Sequence, residues 1–117
     1  MMVRWPGKIK PGSESDLVWY FPDVMPTLAE LAGAKLPKVT IDGSSFAPQL
    51  QGKKGNPREW IYTEWEGKAW VRTKQWKLYR GGHFYDMKDD PLEKSPVAKD
   101  AGAETRVRLQ SVLDTLK

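Results

Sequence analysis

Residues 59–87 read Glu59-Trp-Ile-Tyr-Thr-Glu64, then Lys68-Ala-Trp-Val-Arg-Thr73, Gln75-Trp-Lys-Leu-Tyr-Arg80 and His83-Phe-Tyr-Asp-Met87. Each segment is rich in the aromatic and β-branched residues that suit a half-buried pleated surface. Gly67, Thr73-Lys74 and Gly81-Gly82 separate the segments, so the pattern predicts an antiparallel meander. Alternation puts Ala69 and Val71 on one face and Lys68, Trp70 and Arg72 on the other. Asp89-Asp90-Pro91 ends the sheet. From about Ala103 to Leu116, Leu109, Val112, Leu113 and Leu116 fall at helical spacing, a stripe that should close over one face of the sheet. The expected fold class is α+β: a small antiparallel sheet of about four strands packed by a C-terminal helix.

Upstream of the sheet the character changes. Met1 to Trp5 is short and apolar and is stopped by Pro6-Gly7, which reads as the end of a strand. Lys8 to Gly12 is a basic turn. A helix follows, with Asp23 as N-cap and Pro26 tolerated in its first turn. Its expected buried face is Val24, Leu28, Leu31 and Ala32, and Gly33 supplies the stop. Lys35 to Pro57 is loop-rich apart from a helical turn around Phe46 to Leu50. The Gly-Lys-Lys-Gly-Asn-Pro run that ends at Pro57 marks a boundary, so the expected division is residues 1–57 and 58–117.

The bulk numbers bound the reading. A chain of 117 residues with 39% hydrophobic and 29% charged residues reads as globular. No apolar run approaches the roughly 20 residues that a membrane helix needs. The first ten residues carry charges and a Pro-Gly pair, so no secretory apolar core is visible there. With no cysteine there are neither disulfides nor thiolate metal ligands. A net charge of +4 is modest, and slightly favours sulfated or phosphorylated ligands.

Five motifs, in order, cover roughly Val3 to Glu93. They are Arg4-Trp-Pro-Gly7, Asp23-Val-Met-Pro-Thr-Leu28, Asp42-Gly-Ser-Ser45, Val71-Arg-Thr-Lys-Gln-Trp-Lys-Leu78 and Tyr85-Asp-Met-Lys-Asp-Asp-Pro-Leu-Glu93. Together they resemble the C-terminal part of the sulfatase (arylsulfatase) family. The last two are similar to that family's R-T-x-x-W/Y-K-L hairpin and Y-D-L-x-x-D-P-x-E strand exit. Leu92, Ser95-Pro96 and Lys74 depart from the usual residues, at turns rather than at chemistry. The resemblance implies that residues 1–57 are the tail of a large α/β domain with its linker. It implies that residues 58–117 are the small sheet-and-helix subdomain, and that the parent reaction is hydrolysis of a sulfuric ester in a periplasmic or secreted protein.

The family's chemistry uses a formylglycine made from Cys or Ser in C/S-x-P-x-R, beside a metal, usually calcium. A sulfate ester is a poor electrophile, so a hydrated aldehyde must attack it while cations neutralise the sulfuryl oxygens. Ser13, Ser15, Ser44, Ser45, Ser95 and Ser111 all fail that motif at the proline or the arginine. The resemblance places nucleophile, metal ligands and catalytic lysine upstream of the point matching Val3. This chain is therefore expected to be non-catalytic alone and to carry no cofactor of its own.

Its role would be to complete the fold and line the substrate cleft. The substrate-binding candidates are His83, Arg72, Lys74 and Lys77. His83, the only histidine, reads first as an exposed hairpin residue, and one histidine makes no typical metal site. Asp89, Asp90 and Glu93 lack the spacing and glycine of a calcium loop and read as a solvated turn. Lys68, Arg72, Lys74, Lys77 and Arg80 form a basic ribbon interleaved with Trp70, Trp76 and Tyr79, a composition that suits a sulfated glycan or single-stranded nucleic acid. Alternation splits those aromatics between two faces, which argues against nucleic acid. The alternative function is thus a stand-alone sulfated-glycan-binding or interaction module descended from a sulfatase; a remnant of a broken gene is a weaker third. Among aromatic and apolar residues near the start, Val3, Trp5, Trp19, Tyr20 and Phe21 are candidates for a former domain interface, through which the isolated chain is expected to self-associate, with Met1–Trp5 pairing edge to edge.

Overall fold

The computed structural model describes residues 1–98 and 100–116. The chain forms two compact units, Met1–Arg58 and Glu59–Lys117.

In the first unit a 3-10 turn, Phe21–Asp23, leads into helix α1, Val24–Ala32, and a single helical turn, α2, spans Ala47–Leu50. Gly33 closes α1 in the left-handed conformation, at φ 65°. Asp23 stands at the N-cap as expected, but its side chain does not cap α1. The carboxylate turns back instead. It accepts hydrogen bonds from the Tyr20 amide (2.7 Å), the Ser44 amide (2.8 Å) and both arms of the Arg58 guanidinium, with Nε at 2.9 Å. Arg58 Nη2 also reaches the Asp42 carbonyl at 3.0 Å. One buried carboxylate, 2% exposed, thereby ties the start of α1 to Ser44 and Arg58, 21 and 35 residues downstream. Gly43 is required at this junction, because a Cβ there would lie 2.0 Å from the Pro22 carbonyl oxygen.

Two expectations for this unit fail. The buried residues of α1 are Pro26 and Thr27, whereas Leu28 is 60% exposed, Ala32 is exposed, and Val24 and Leu31 are half-buried. Polar anchoring explains the rotation. The Thr27 hydroxyl donates to the Asp23 carbonyl (2.6 Å) and accepts from the Phe46 amide (3.0 Å), so the helix face is set by those bonds and not by an apolar stripe. Met1–Trp5 is not a strand either. A strand exists only with a neighbour to bond, and among the described residues no backbone hydrogen bond reaches Met1–Arg4.

The second unit is the expected meander. Strands β1 (Ile61–Trp65), β2 (Lys68–Arg72), β3 (Trp76–Tyr79) and β4 (Phe84–Asp86) pair in sequence order, all antiparallel. The β1–β2 turn is Glu66-Gly67, both at positive φ (48° and 74°), the conformation whose twist matches the flanking strands. Thr73 closes the β2–β3 turn: its amide donates to the Trp76 carbonyl at 2.8 Å, and its hydroxyl accepts from the Trp76 amide at 2.9 Å. Helix α3, Ala103–Thr115, lies on one face, where Leu109 and Leu113 meet Val71, Leu78 and Phe84, with Val112 packed against them. The Trp76 ring stacks on Phe84 at 4.9 Å, and Gly102, at φ 62°, lets the helix start against both rings.

Leu113→Ala is expected to cost about 2–5 kcal/mol, read from urea unfolding, because the cavity cannot collapse between a helix and a sheet. Burial alone would raise the Asp23 pKa; the Arg58 hydrogen bond and charge and the Ser44 and Tyr20 amides outweigh it and hold the carboxyl below its ordinary value of 3.8. A depressed folded pKa gives stability that is present above the unfolded value and lost as pH falls through the folded one. The Asp23 contribution should therefore persist to about pH 4 and vanish below it. Asp23→Asn should remove about 3 kcal/mol at neutral pH and flatten that acid limb, since it leaves Arg58 without its counter-charge.

Candidate functional site on the helix-free face of the sheet

With α3 on one face, the pleat turns Trp70, Arg72, Lys77, Tyr79 and Tyr85 to the other. Their spacing follows from register: Trp70 opposes Tyr79, Arg72 opposes Lys77, and Lys77 opposes Tyr85. Trp70 and Tyr79 have centroids 5.7 Å apart, and Tyr85 meets Tyr79 edge-on at 6.0 Å. The Lys77 ammonium sits 4.9 Å from the Trp70 ring centroid and 4.6 Å from that of Tyr79, in cation–π range of both.

The ribbon has an acid in space that it lacks in sequence. Glu93 Oε1 accepts from Lys77 Nζ at 2.7 Å, and Glu93 Oε2 accepts from the Tyr79 hydroxyl at 2.5 Å. The Lys77 and Glu93 side chains are 11% and 24% exposed, so this is a partly buried pair. Glu93 is thus not the solvated turn residue that the sequence implied. It also stands at φ 56°, a left-handed conformation costly for a residue with a Cβ, and the two hydrogen bonds from the sheet help to offset that cost. Burial pushes the Glu93 pKa up, but the Lys77 and Tyr79 hydrogen bonds and the Lys77 and Arg72 charges bring it below its ordinary value. Tyr79 shifts upward, by burial and by its bond to Glu93.

Of the four substrate-binding candidates, Arg72 and Lys77 come together as cross-strand neighbours. Lys74 is exposed on the β2–β3 turn beside them. His83 does not join the group: it is exposed at the opposite end of the β3–β4 hairpin, its carbonyl accepting from the Tyr79 amide at 2.9 Å. Glu93 is the member that sequence reasoning missed. A signal for it existed, because it is the last residue of the Tyr85–Glu93 motif.

The acids do not fit calcium. Among the described residues, no group of three or more His, Cys, Asp or Glu side chains is placed to hold a metal ion. Asp90 accepts from the Ser95 amide at 2.8 Å, Asp86 takes the Gln75 amide group and the Lys88 amide, and Glu93 is committed to Lys77.

In a double-mutant cycle, Lys77→Met and Glu93→Gln should couple by about 1 kcal/mol, as for contacting partners in one network. The coupling should be present above about pH 4.5 and fade as pH falls through the depressed Glu93 pKa; independent effects would separate the pair.

A family model described as N-sulphoglucosamine sulphohydrolase, C-terminal, matches residues 1–117. The ulvan-active sulfatase of Formosa agariphila is 33% identical over 105 residues, covering 81% of this chain and 21% of that protein. Arylsulfatase A of Homo sapiens is 38% identical over 99 residues, covering 77% of this chain and 19% of that protein. A solved structure described as a complex with its substrate D-glucosamine-2-N,6-O-disulfate superposes with a TM-score of 0.77 at 27% identity, over 97% of this chain and 26% of that one. The chain spans about a fifth of the length of these curated relatives. On the match over all of its residues, it belongs to the N-sulphoglucosamine sulphohydrolase C-terminal family, the C-terminal region of sulfatases.

Proposed function

We propose that this chain serves as the C-terminal part of a sulfuric-ester hydrolase, completing its fold and lining its substrate cleft without supplying the bond-breaking groups. The observation that carries this reading is the match of residues 1–117 to a sulfatase C-terminal model in a chain with no C/S-x-P-x-R. Formylglycine and calcium, which the family implies, find no fitting residues here: there is no cysteine, no serine in that motif, and no metal-holding cluster among the described residues. Both would belong to residues outside this chain. What these residues offer a sulfated substrate is charge and shape. Arg72 supplies a planar guanidinium suited to sulfate oxygens, Lys74 adds a flexible cation, and His83 a polar tip. Lys77, already paired with Glu93, acts by holding the aromatic platform beside Arg72, while His83 would act from the other end of the β3–β4 hairpin. By family resemblance the location is periplasmic or secreted; among the described residues no helix is long and apolar enough to cross a membrane.

The test is a fusion in which this chain replaces the matching C-terminal region of the Formosa agariphila sulfatase. The fusion is expected to release sulfate from a sulfate ester, and the 117-residue chain alone to release none. Arg72→Ala or His83→Ala in the fusion should raise KM several-fold with kcat little changed, the pattern of a lost binding contact. Unchanged KM in both variants would remove the cleft-lining role, and sulfate release by the chain alone would overturn the non-catalytic one.

A further inference from the structure

Strand β1, Ile61–Trp65, lies at one edge of the sheet, and β4, Phe84–Asp86, lies at the other. A row of unpaired amides and carbonyls at an edge is a template for a further strand, and proteins usually shield it. The β4 edge is shielded: it is three residues long, and the Val97 amide donates to the Phe84 carbonyl at 2.9 Å. The β1 edge is not. Its five residues contain no proline, glycine or lysine, and Ile61, Tyr62, Thr63 and Trp65 are strong strand formers. Trp65 is 67% exposed. Register decides which backbone groups are open. The Ala69 carbonyl accepts from the Arg80 amide at 2.8 Å and so faces β3, and Glu64 opposes Ala69. Bonded and non-bonded pairs alternate along an antiparallel ladder, so the amides and carbonyls of Tyr62 and Glu64 point away from β2. Among the described residues, no backbone hydrogen bond outside the β1–β2 ladder reaches residues 60–65.

We infer that β1 pairs with β1 of a second copy of this chain, antiparallel and centred on Thr63, joining the two sheets into one. In that register Tyr62 opposes the partner's Glu64, and Glu64 opposes the partner's Tyr62. Every outward amide and carbonyl of these residues then finds a partner. Other registers do worse. Centring on Glu64 would set two carboxylates face to face, which is destabilising, and centring on Tyr62 would carry Trp65 past the end of the partner strand. Charge favours the Thr63 register as well: Arg80 Nη2 lies 3.1 Å from the Tyr62 hydroxyl, so the partner's Glu64 arrives beside a cation. On the helix-free face Thr63, which opposes Trp70, meets its own copy, and Trp65 meets the partner's Ile61, which covers the exposed indole. Ile61 opposes Arg72, and Arg72 opposes Lys77, so the partner's Trp65 extends the row that carries Arg72. The two aromatic platforms become one surface. This pairing stands apart from the hydrolase reading, since it uses only the sheet.

Cross-linking of the full chain tests this without interference, because the chain has no cysteine of its own. Thr63 and its copy would form a non-hydrogen-bonded pair with Cα atoms about 4.5 Å apart, within reach of a disulfide. In a glutathione buffer the Thr63→Cys variant should therefore become a covalent dimer. The two thiols of Glu64→Cys would sit on a diagonal of about 7–8 Å, so that variant should cross-link at least tenfold more slowly. The unsubstituted chain should show a concentration-dependent dimer in sedimentation. Glu64→Pro removes an outward amide and leaves the β1–β2 ladder bonds in place; it should weaken the dimer at least tenfold with the far-UV spectrum unchanged. The cross-linking contrast holds even where that variant fails to fold. A chain that stays monomeric up to millimolar concentration overturns the pairing. So does a dimer in which Glu64→Cys cross-links as fast as Thr63→Cys, or one that a folded Glu64→Pro leaves intact, since either puts the contact on another surface.

Discussion

Leu109 and Leu113 pressed onto Val71, Leu78 and Phe84 are the contact on which the sheet unit depends. Strands of three to five residues make too few ladder bonds to persist in water, and a small sheet needs one apolar face covered. Helix α3 provides that cover with two buried leucines, and everything else on its inner face is arranged to let them in. Gly102 starts the helix without a Cβ against Trp76 and Phe84, and the Arg106 guanidinium holds the Gly82 carbonyl at 2.7 Å, tying the helix to the β3–β4 turn. One face of the sheet is thus committed to the helix, and Trp70, Arg72, Lys77, Tyr79 and Tyr85 stand on the other.

That second face is built from groups that need each other. Lys77 among rings would be a desolvated cation without Glu93, and Glu93 would be a strained acid without Lys77 and Tyr79. Satisfying them in one cluster fixes the rings of Trp70 and Tyr79 and keeps Arg72 beside a neutralised pair rather than a repelling lysine. The result is an aromatic platform on which Lys77 is neutralised by Glu93 and Arg72 stands beside the pair, in place of the continuous basic ribbon visible in the sequence.

The first unit follows a different rule. Its organising centre is polar: the Asp23 carboxylate gathers Tyr20, Ser44 and Arg58, and Thr27 links α1 to Phe46. Apolar burial is correspondingly thin, with Phe46 and Ala47 the buried hydrophobic residues of this unit. Such an arrangement holds loops in register at a point where the chain passes through Arg58 towards the sheet, and it leaves apolar surface at Met1, Val3 and Phe21 uncovered within the unit.

The sequence by itself determined the sheet, its strand order and the helix that closes it. Period-2 alternation at Ala69 and Val71, the turn residue Gly67, and helical spacing at Leu109 and Leu113 are local signals, and here each agrees with the tertiary packing. The five motifs made the sulfatase family legible for the same reason, since they are short runs of neighbouring residues. What only the tertiary structure decided lies between residues distant in the chain. The face that α1 buries is set by the bond between the Thr27 hydroxyl and the distant Phe46 amide, not by its own apolar periodicity. Met1–Trp5 has strand character but no partner to bond, and Lys77 acquires its acid from sixteen residues downstream. Periodicity reports what one segment prefers against water; it carries no information about which polar group from elsewhere will reach it, and a buried charge is governed by that group.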